Sequence, residues 1–304
     1  MTEPRPESTR AAILIPFALV TLVWGSTWLV IRDQLAVVPA GWSVSYRFLV
    51  AGLAMAGWAL AKRDPWPREA RGFLFAGAIG FCQFFGNFNF VYQAEHYVTS
   101  GLVAVVFALL LVPNAFLARV FLGQRLGRQL LLGSGIAVAG IVLLFVHEAR
   151  VDPSGGAAVY AGIGFTFAAV AICSVANVLQ ATQTAKRYAM APTLAIAMLF
   201  GAALDAALAF AMHGPPVVEA RPAYLLGILY LGLFASALAF PLDYNVLRVI
   251  GPAKAAYSSV IVPVIAMLLS TLFEGYRWSL LAAAGAVLTG VGLLVALSAR
   301  RPNR

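Results

Sequence analysis

Gln83, Gly86, Asn87, Phe90 and Gln93 recur at the spacing that places side chains on one face of a helix. A second stripe, Ser236, Phe240 and Asp243, falls opposite Gly86, Phe90 and Gln93 when the chain is shifted by 150 residues, with Tyr92 and Tyr244 at nearly matched positions. Carboxamides, a carboxylate and aromatic rings on two facing stripes would line a cavity for an amphipathic solute. The same residue types also join helices by hydrogen bonds, commonly worth about 0.6 kcal/mol in lipid. Cavity lining is the reading carried forward, because polar groups inside apolar spans tend to be functional.

Further candidates are Trp24, Ser26, Thr27 and Trp28 in one apolar run and Asn177 with Gln180 in another. Phe107 and Tyr257 match at the same 150-residue offset, with Ser258 beside Tyr257. The tryptophans serve equally as interfacial anchors. Arg47, Asp205 and Asp243 are the charges expected inside apolar runs, and each needs a partner or water because a central charge costs about 2.5–3.5 kcal/mol. Asp243 reads as a proton site, a ligand for a substrate amine, or a helix-end carboxylate. Arg47 reads as structural, Asp205 has no assigned role, and Lys254 sits at a span end. Pro113 and Pro263, also a matched pair, interrupt their helices and are read as hinges, with static shape-fitting as the other reading.

No enzyme constellation accompanies these residues. There is no His-Glu-x-x-His or Gly-x-Ser-x-Gly, and His96, His147 and His213 fall near the ends of apolar runs. No metal or cofactor is expected. Cys82 and Cys173 lie within apolar runs as packing residues. Nothing resembles a carbonyl filter or a ring of charges, as a channel would need.

The elements that must position the candidates follow from composition. The 304 residues are 62% hydrophobic and 11% charged, with a mean hydropathy of +0.87, whereas a soluble domain carries roughly 25% charge. The lipid bilayer is therefore the expected solvent. The net charge of +9 belongs to the segments between apolar runs, which fits membrane topology rather than nucleic acid. Runs long enough to cross lie near 12–31, 42–61, 72–93, 98–120, 130–147, 157–181, 191–212, 223–246, 253–273 and 278–298, so the expected fold is all-α with ten transmembrane helices. Of the Lys and Arg between them, sixteen fall on one side and four on the other, which puts both termini in the cytoplasm. Arginine outnumbers lysine eighteen to three, which is compatible with a GC-rich bacterial genome, and the expected location is a bacterial inner membrane.

The chain also resembles itself. Gly101 pairs with Gly251, Pro113 with Pro263, Gly135 with Gly285 and Gly140 with Gly290. Five spans per repeat is an odd number, so the second copy would enter inverted, with residues 1–147 and 157–304 forming the halves and 148–156 the linker. Both halves in one chain make a monomer sufficient.

Trp24-Gly25-Ser26-Thr27, Arg47-Phe48 and the paired Pro, Leu-Gly-Gln/Phe-Glu and Gly-xxxx-Gly pattern resemble the drug/metabolite transporter superfamily. The similarity is to its ten-helix EamA-type branch, and within it most to the YddG-type amino-acid exporters. The chain departs from the pattern at Gln124, where the first repeat often carries a glutamate as the second does at Glu274. The resemblance implies that spans 1–4 and 6–9 surround a central cavity, that spans 5 and 10 lie outside it, and that amino acids or related amphipathic solutes move outward. The alternative is a proton-coupled multidrug cation exporter; the first-span glutamate used by small four-helix relatives is absent here, leaving Asp243 as its substitute. Few fixed charges near the stripes disfavour phosphorylated sugars. A fluorescent protein fused after Arg304 should fluoresce and alkaline phosphatase fused there should stay inactive; the reverse pattern overturns the orientation.

Overall fold

The computed structural model describes residues 6–123, 127–151, 156–250 and 258–298. All regular structure among them is helical. The helices are α1 (Pro6–Gln34), α2 (Ala40–Lys62), α3 (Ala70–Tyr97), α4 (Ser100–Leu122), α5 (Arg128–Val151), α6 (Ala157–Gln180), the short α7 (Gln183–Arg187), α8 (Met190–His213), α9 (residues 222–250), α10 (Ser258–Phe273) and α11 (Leu280–Leu297). Seven of them, α2–α6, α8 and α9, are long and apolar enough to cross a membrane, and Ile261–Phe273 and Leu280–Ala296 are shorter apolar helices. α5 runs to Val151, four residues into the segment expected to be linker, because Glu148, Ala149 and Arg150 favour helix and nothing breaks it before Asp152. Gln124, Lys254 and Tyr257 lie outside the described residues, as does the side chain of Ser258.

The outer surface is apolar. Leu74, Phe121 and Leu280 are 74%, 70% and 93% exposed, while Arg47, Glu95 and Asp205 are buried. Water would not tolerate that arrangement; hydrocarbon requires it.

Three helices are irregular. The middle of α3, Gly80–Asn87, and the middle of α9, Tyr230–Leu238, are both π-helical, at positions 150 residues apart. A π turn leaves backbone groups short of partners. At equivalent positions a side chain satisfies one: Asn89 Nδ2 donates to the Phe85 carbonyl at 2.8 Å, and Trp24 Nε1 donates to the Ala235 carbonyl at 3.0 Å. In α4, Ala108–Leu110 tightens into a 3₁₀ turn just ahead of Pro113, whose ring displaces the carbonyl four residues back. α4 then ends at Gly123, in the left-handed region at φ 68°.

Packing is also paired. α2 lies against α8 and α5 against α11; α1 lies against α10 and α4 against α6; α2 meets the π segment of α9 as α8 meets that of α3. The α5–α11 pair depends on absent side chains. A Cβ on Gly140 would lie 2.6 Å from the Gly285 carbonyl oxygen, and one on Gly292 would lie 2.6 Å from that of Gly133. Gly135 and Gly290, also matched members of the repeat, meet nothing within 4 Å. The matched residues of the repeat are thus not uniformly the contacting ones, because a helix pair crossing antiparallel brings different registers together.

Gly140→Leu should destabilise the purified protein by about 1–3 kcal/mol through overpacking, read as a lower unfolding temperature in detergent. Gly135→Leu should leave it unchanged. Equal effects would contradict the packing described.

Candidate functional site

A cavity of about 130 Å³ opens among α1–α4, α6, α9 and α10. α1 contributes Trp24, Thr27, Trp28 and Ile31, and α3 contributes Gln83, Asn87, Phe88 and Val91. α4 brings Phe107 and Asn114, α6 brings Cys173 and Asn177, and α9 brings Phe240, Asp243 and Leu247. Arg47 enters from α2, and Val262 with Pro263 from α10. α8 does not line it: Gly201 on α8 sits against Phe84, one layer behind. α5 and α11 also stand away from it.

Phe240 is the centre of the aromatic wall. Its ring lies 5.4 Å from Trp24, 5.1 Å from Phe84, 6.2 Å from Phe88 and 5.7 Å from Tyr244, all tilted or edge-on. Trp28 and Phe107 form a second pair at 5.5 Å. Much of the polar lining is self-satisfied. Cys173 Sγ donates to Gln83 Oε1 at 3.5 Å, and Asn177 Nδ2 donates to Asn114 Oδ1 at 3.5 Å. Thr27 Oγ1 donates to the Trp24 carbonyl at 2.8 Å.

Arg47 is the charge buried most deeply in the wall, 1% exposed. Nε donates to Ser236 Oγ at 3.0 Å, and Ser236 donates in turn to the carbonyl of Leu231, five residues back along the π turn, at 2.7 Å. The guanidinium carbon lies 4.3 Å from the Phe88 ring centroid and 5.2 Å from that of Phe48, within cation–π range. Read from the sequence as structural, Arg47 does bridge α2 and α9, and it also faces the cavity. Asp243 lines the cavity half-buried and has no hydrogen-bond partner among the described residues.

Of the residues singled out in the sequence, the structure gathers Trp24, Thr27, Trp28, Arg47, Gln83, Asn87, Phe107, Asn177, Phe240, Asp243 and Pro263 around this space. Others fall behind it. Ser26 bonds the Tyr230 hydroxyl at 2.6 Å, and Tyr92 donates to Gln34 Oε1 at 3.0 Å. Gln180 accepts from Arg248 Nη2 at 2.8 Å, and Phe90 stacks on Phe165. Tyr244 is buried behind Phe240, and Gln93 and Pro113 lie off the lining. Ser236 meets Arg47 rather than the cavity. Asp205 accepts from Asn89 at 2.5 Å, away from the cavity.

The π turn accounts for the slip in α3. A regular helix would carry the face from Gln83 and Asn87 to Phe90 and Gln93; the extra residue advances it to Phe88 and Val91. Asn114, one residue after Pro113, went unremarked in the sequence, although a carboxamide in so apolar a run was a signal.

Outside the spans, exposed pairs tie loops together. Arg221 bridges Asp33 and Glu219 at 2.9 and 2.7 Å, and the Asp33 hydrogen bond first, then that of Glu219, holds the guanidinium above its ordinary value. The Tyr188 hydroxyl donates to Glu69 at 2.6 Å, which raises the phenol.

Residues 11–146 and 161–298 each match the EamA-like transporter family. The chain is 26% identical over 275 residues to protein PagO of Salmonella typhimurium, covering 89% of this chain and 88% of PagO. It is 29% identical over 264 residues to the uncharacterized inner membrane transporter YedA of Escherichia coli, covering 84% of this chain and 80% of YedA. A probable terminal-alkyne amino-acid exporter of Streptantibioticus cattleyicolor is 28% identical over 282 residues, covering 91% of this chain and 90% of the exporter. A solved crystal structure shares the fold with a TM-score of 0.67 at 22% identity, covering 94% of this chain and 96% of the other.

Ser236→Ala should leave the buried Arg47 Nε without its acceptor and destabilise the protein by about 1.5–3 kcal/mol. Ser26→Ala, whose partner Tyr230 keeps the Val23 carbonyl within reach at 3.4 Å, should cost less. Thermal unfolding of both variants checks the order.

Proposed function

The chain belongs to the EamA-like transporter family, a family of membrane transporters, and from that premise we propose that it exports amino acids with aromatic or hydrophobic side chains, and related amphipathic metabolites or drugs, by alternating access. The observation that carries this reading is the cavity, walled by aromatic rings and neutral polar groups drawn from both ends of the sequence. Its volume, about 130 Å³, is close to the roughly 150 Å³ that takes up a benzene ring in an engineered core. The similarity to a probable amino-acid exporter points the same way.

The proposed frame is ten crossings in two inverted five-helix halves, residues 1–147 and 157–304, with both termini in the cytoplasm of a bacterial inner membrane. Two matches to one family, 150 residues apart at their starts, support the duplication. The paired π segments and the reciprocal packing of α1–α10 with α4–α6 support a pseudo-two-fold relation. Pro263, on the cavity wall, and Pro113, beside the 3₁₀ turn, are the proposed hinges.

A second reading, proton-coupled export of cationic drugs, is favoured by one observation: Asp243 reaches the cavity without a partner among the described residues. Purified protein in liposomes, offered labelled L-phenylalanine or ethidium with and without a pH gradient, separates the two. Phenylalanine flux is expected, and its absence removes the amino-acid reading. Gradient-driven ethidium flux that Asp243→Asn abolishes would establish the second.

A further inference from the structure

The polar groups of the cavity lining that the protein leaves unsatisfied sort into two kinds. Arg47 Nη1 and Trp28 Nε1 are buried donors with no acceptor; Asn87 Oδ1 is a buried acceptor with no donor. Asp243 adds a carboxylate with no hydrogen-bond partner among the described residues. The other carboxamides of the wall are already tied to one another through Cys173–Gln83 and Asn177–Asn114. A buried polar atom without a partner costs about 1–3 kcal/mol, more if charged, so such a set is tolerated where something else completes it.

We propose that the solute is held as a zwitterion, its carboxylate on Arg47 Nη1 and Trp28 Nε1 and its ammonium on Asp243 and Asn87 Oδ1. This rests on the amino-acid reading above and assigns the residues that enforce it. One fixed cation and one fixed anion line an otherwise neutral wall, which is the complement of a solute with one of each and no net charge. Phe88 and Phe240 connect the two charges along the wall. The Arg47 guanidinium lies 4.3 Å from the Phe88 centroid, the two rings are 6.2 Å apart, and Asp243 follows Phe240 by nearly one turn.

Arg47 has the Tyr92 hydroxyl and the Glu95 carboxylate nearby; the hydroxyl donates to Gln34 Oε1, and both Glu95 carboxylate oxygens are buried without hydrogen-bond partners. Neither group takes Nη1, which has no hydrogen-bond partner. The bond from Nε to Ser236 fixes one edge of the guanidinium of a residue that lines the cavity.

The test is competition against tritiated L-phenylalanine counterflow in proteoliposomes by three unlabelled compounds: L-phenylalanine, phenethylamine, which lacks the carboxylate, and 3-phenylpropionate, which lacks the amine. The wild-type protein should prefer phenylalanine to either analogue by about tenfold or more. Arg47→Gln should weaken phenylalanine and leave phenethylamine unchanged, whereas Asp243→Asn should weaken phenylalanine and leave 3-phenylpropionate unchanged. Trp28→Phe, which keeps an aromatic ring but loses the N–H with the pyrrole part of the indole, should reduce the preference over phenethylamine several-fold, so the test does not depend on Arg47→Gln inserting into the membrane. Parallel loss for all three compounds, or equal competition by all three in the wild-type protein, overturns the clamp while leaving amino-acid transport standing. Absence of phenylalanine counterflow in the wild-type protein removes both.

Discussion

Hydrocarbon offers no hydrogen bonds. Every polar atom of a chain that lives in it must find a partner inside the protein, and this requirement organises the whole structure. Leu74, Phe121 and Leu280 face outward because nothing is gained by hiding them. Asp205 finds Asn89, Ser236 finds the Leu231 carbonyl, and Arg47 finds Ser236. Against that background an unsatisfied group is informative. Unsatisfied atoms also occur elsewhere, at Trp42 Nε1, Glu95 and Tyr276, but Arg47 Nη1, Trp28 Nε1 and Asn87 Oδ1 are the ones on residues around one cavity, and it is the space and the open valences together that suit a solute.

The same constraint explains why irregular backbone occurs where it does. The π segments of α3 and α9 leave carbonyls to be satisfied, and Asn89 and Trp24 do so at equivalent positions. Each segment lies against a helix from the other end of the sequence: Gly80 meets the Ala197 carbonyl of α8, and Gly232 approaches Arg47 of α2. A widened turn also re-aims the residues beyond it, and in α3 it sets Phe88 rather than Phe90 on the cavity wall. Close approach between α5 and α11 is a separate device. It depends on Gly133, Gly140, Gly285 and Gly292 and keeps that pair away from the cavity.

Composition and length made the all-helical membrane class legible, since so few charges leave no alternative solvent, and the self-similarity at 150 residues anticipated the paired π segments. Face assignment was legible only while the helix stayed regular. Gln83 and Asn87 share the cavity wall while Phe90 and Gln93 lie off it, and hydrophobic periodicity carries no sign of the π turn between them. Ser26, Tyr92 and Gln180 show the other difficulty. Residues that glue helices and residues that line a cavity are of the same types, and only the positions of Tyr230, Gln34 and Arg248 decide between them. Arg47 illustrates both roles at once, bound to Ser236 on one edge and facing the cavity on the other.

The central claim is that this cavity is a passage reached from each side in turn, and a native thiol reports on it. Cys173 lies on the wall, and Cys82 is the chain's other cysteine. In a Cys82→Ala background, alkylation of Cys173 by a membrane-impermeant maleimide should proceed from both the cytoplasmic and the outer face, and saturating L-phenylalanine should slow it from each. Labelling from one face alone, or at a rate indifferent to the solute, would contradict a solute path through this cavity.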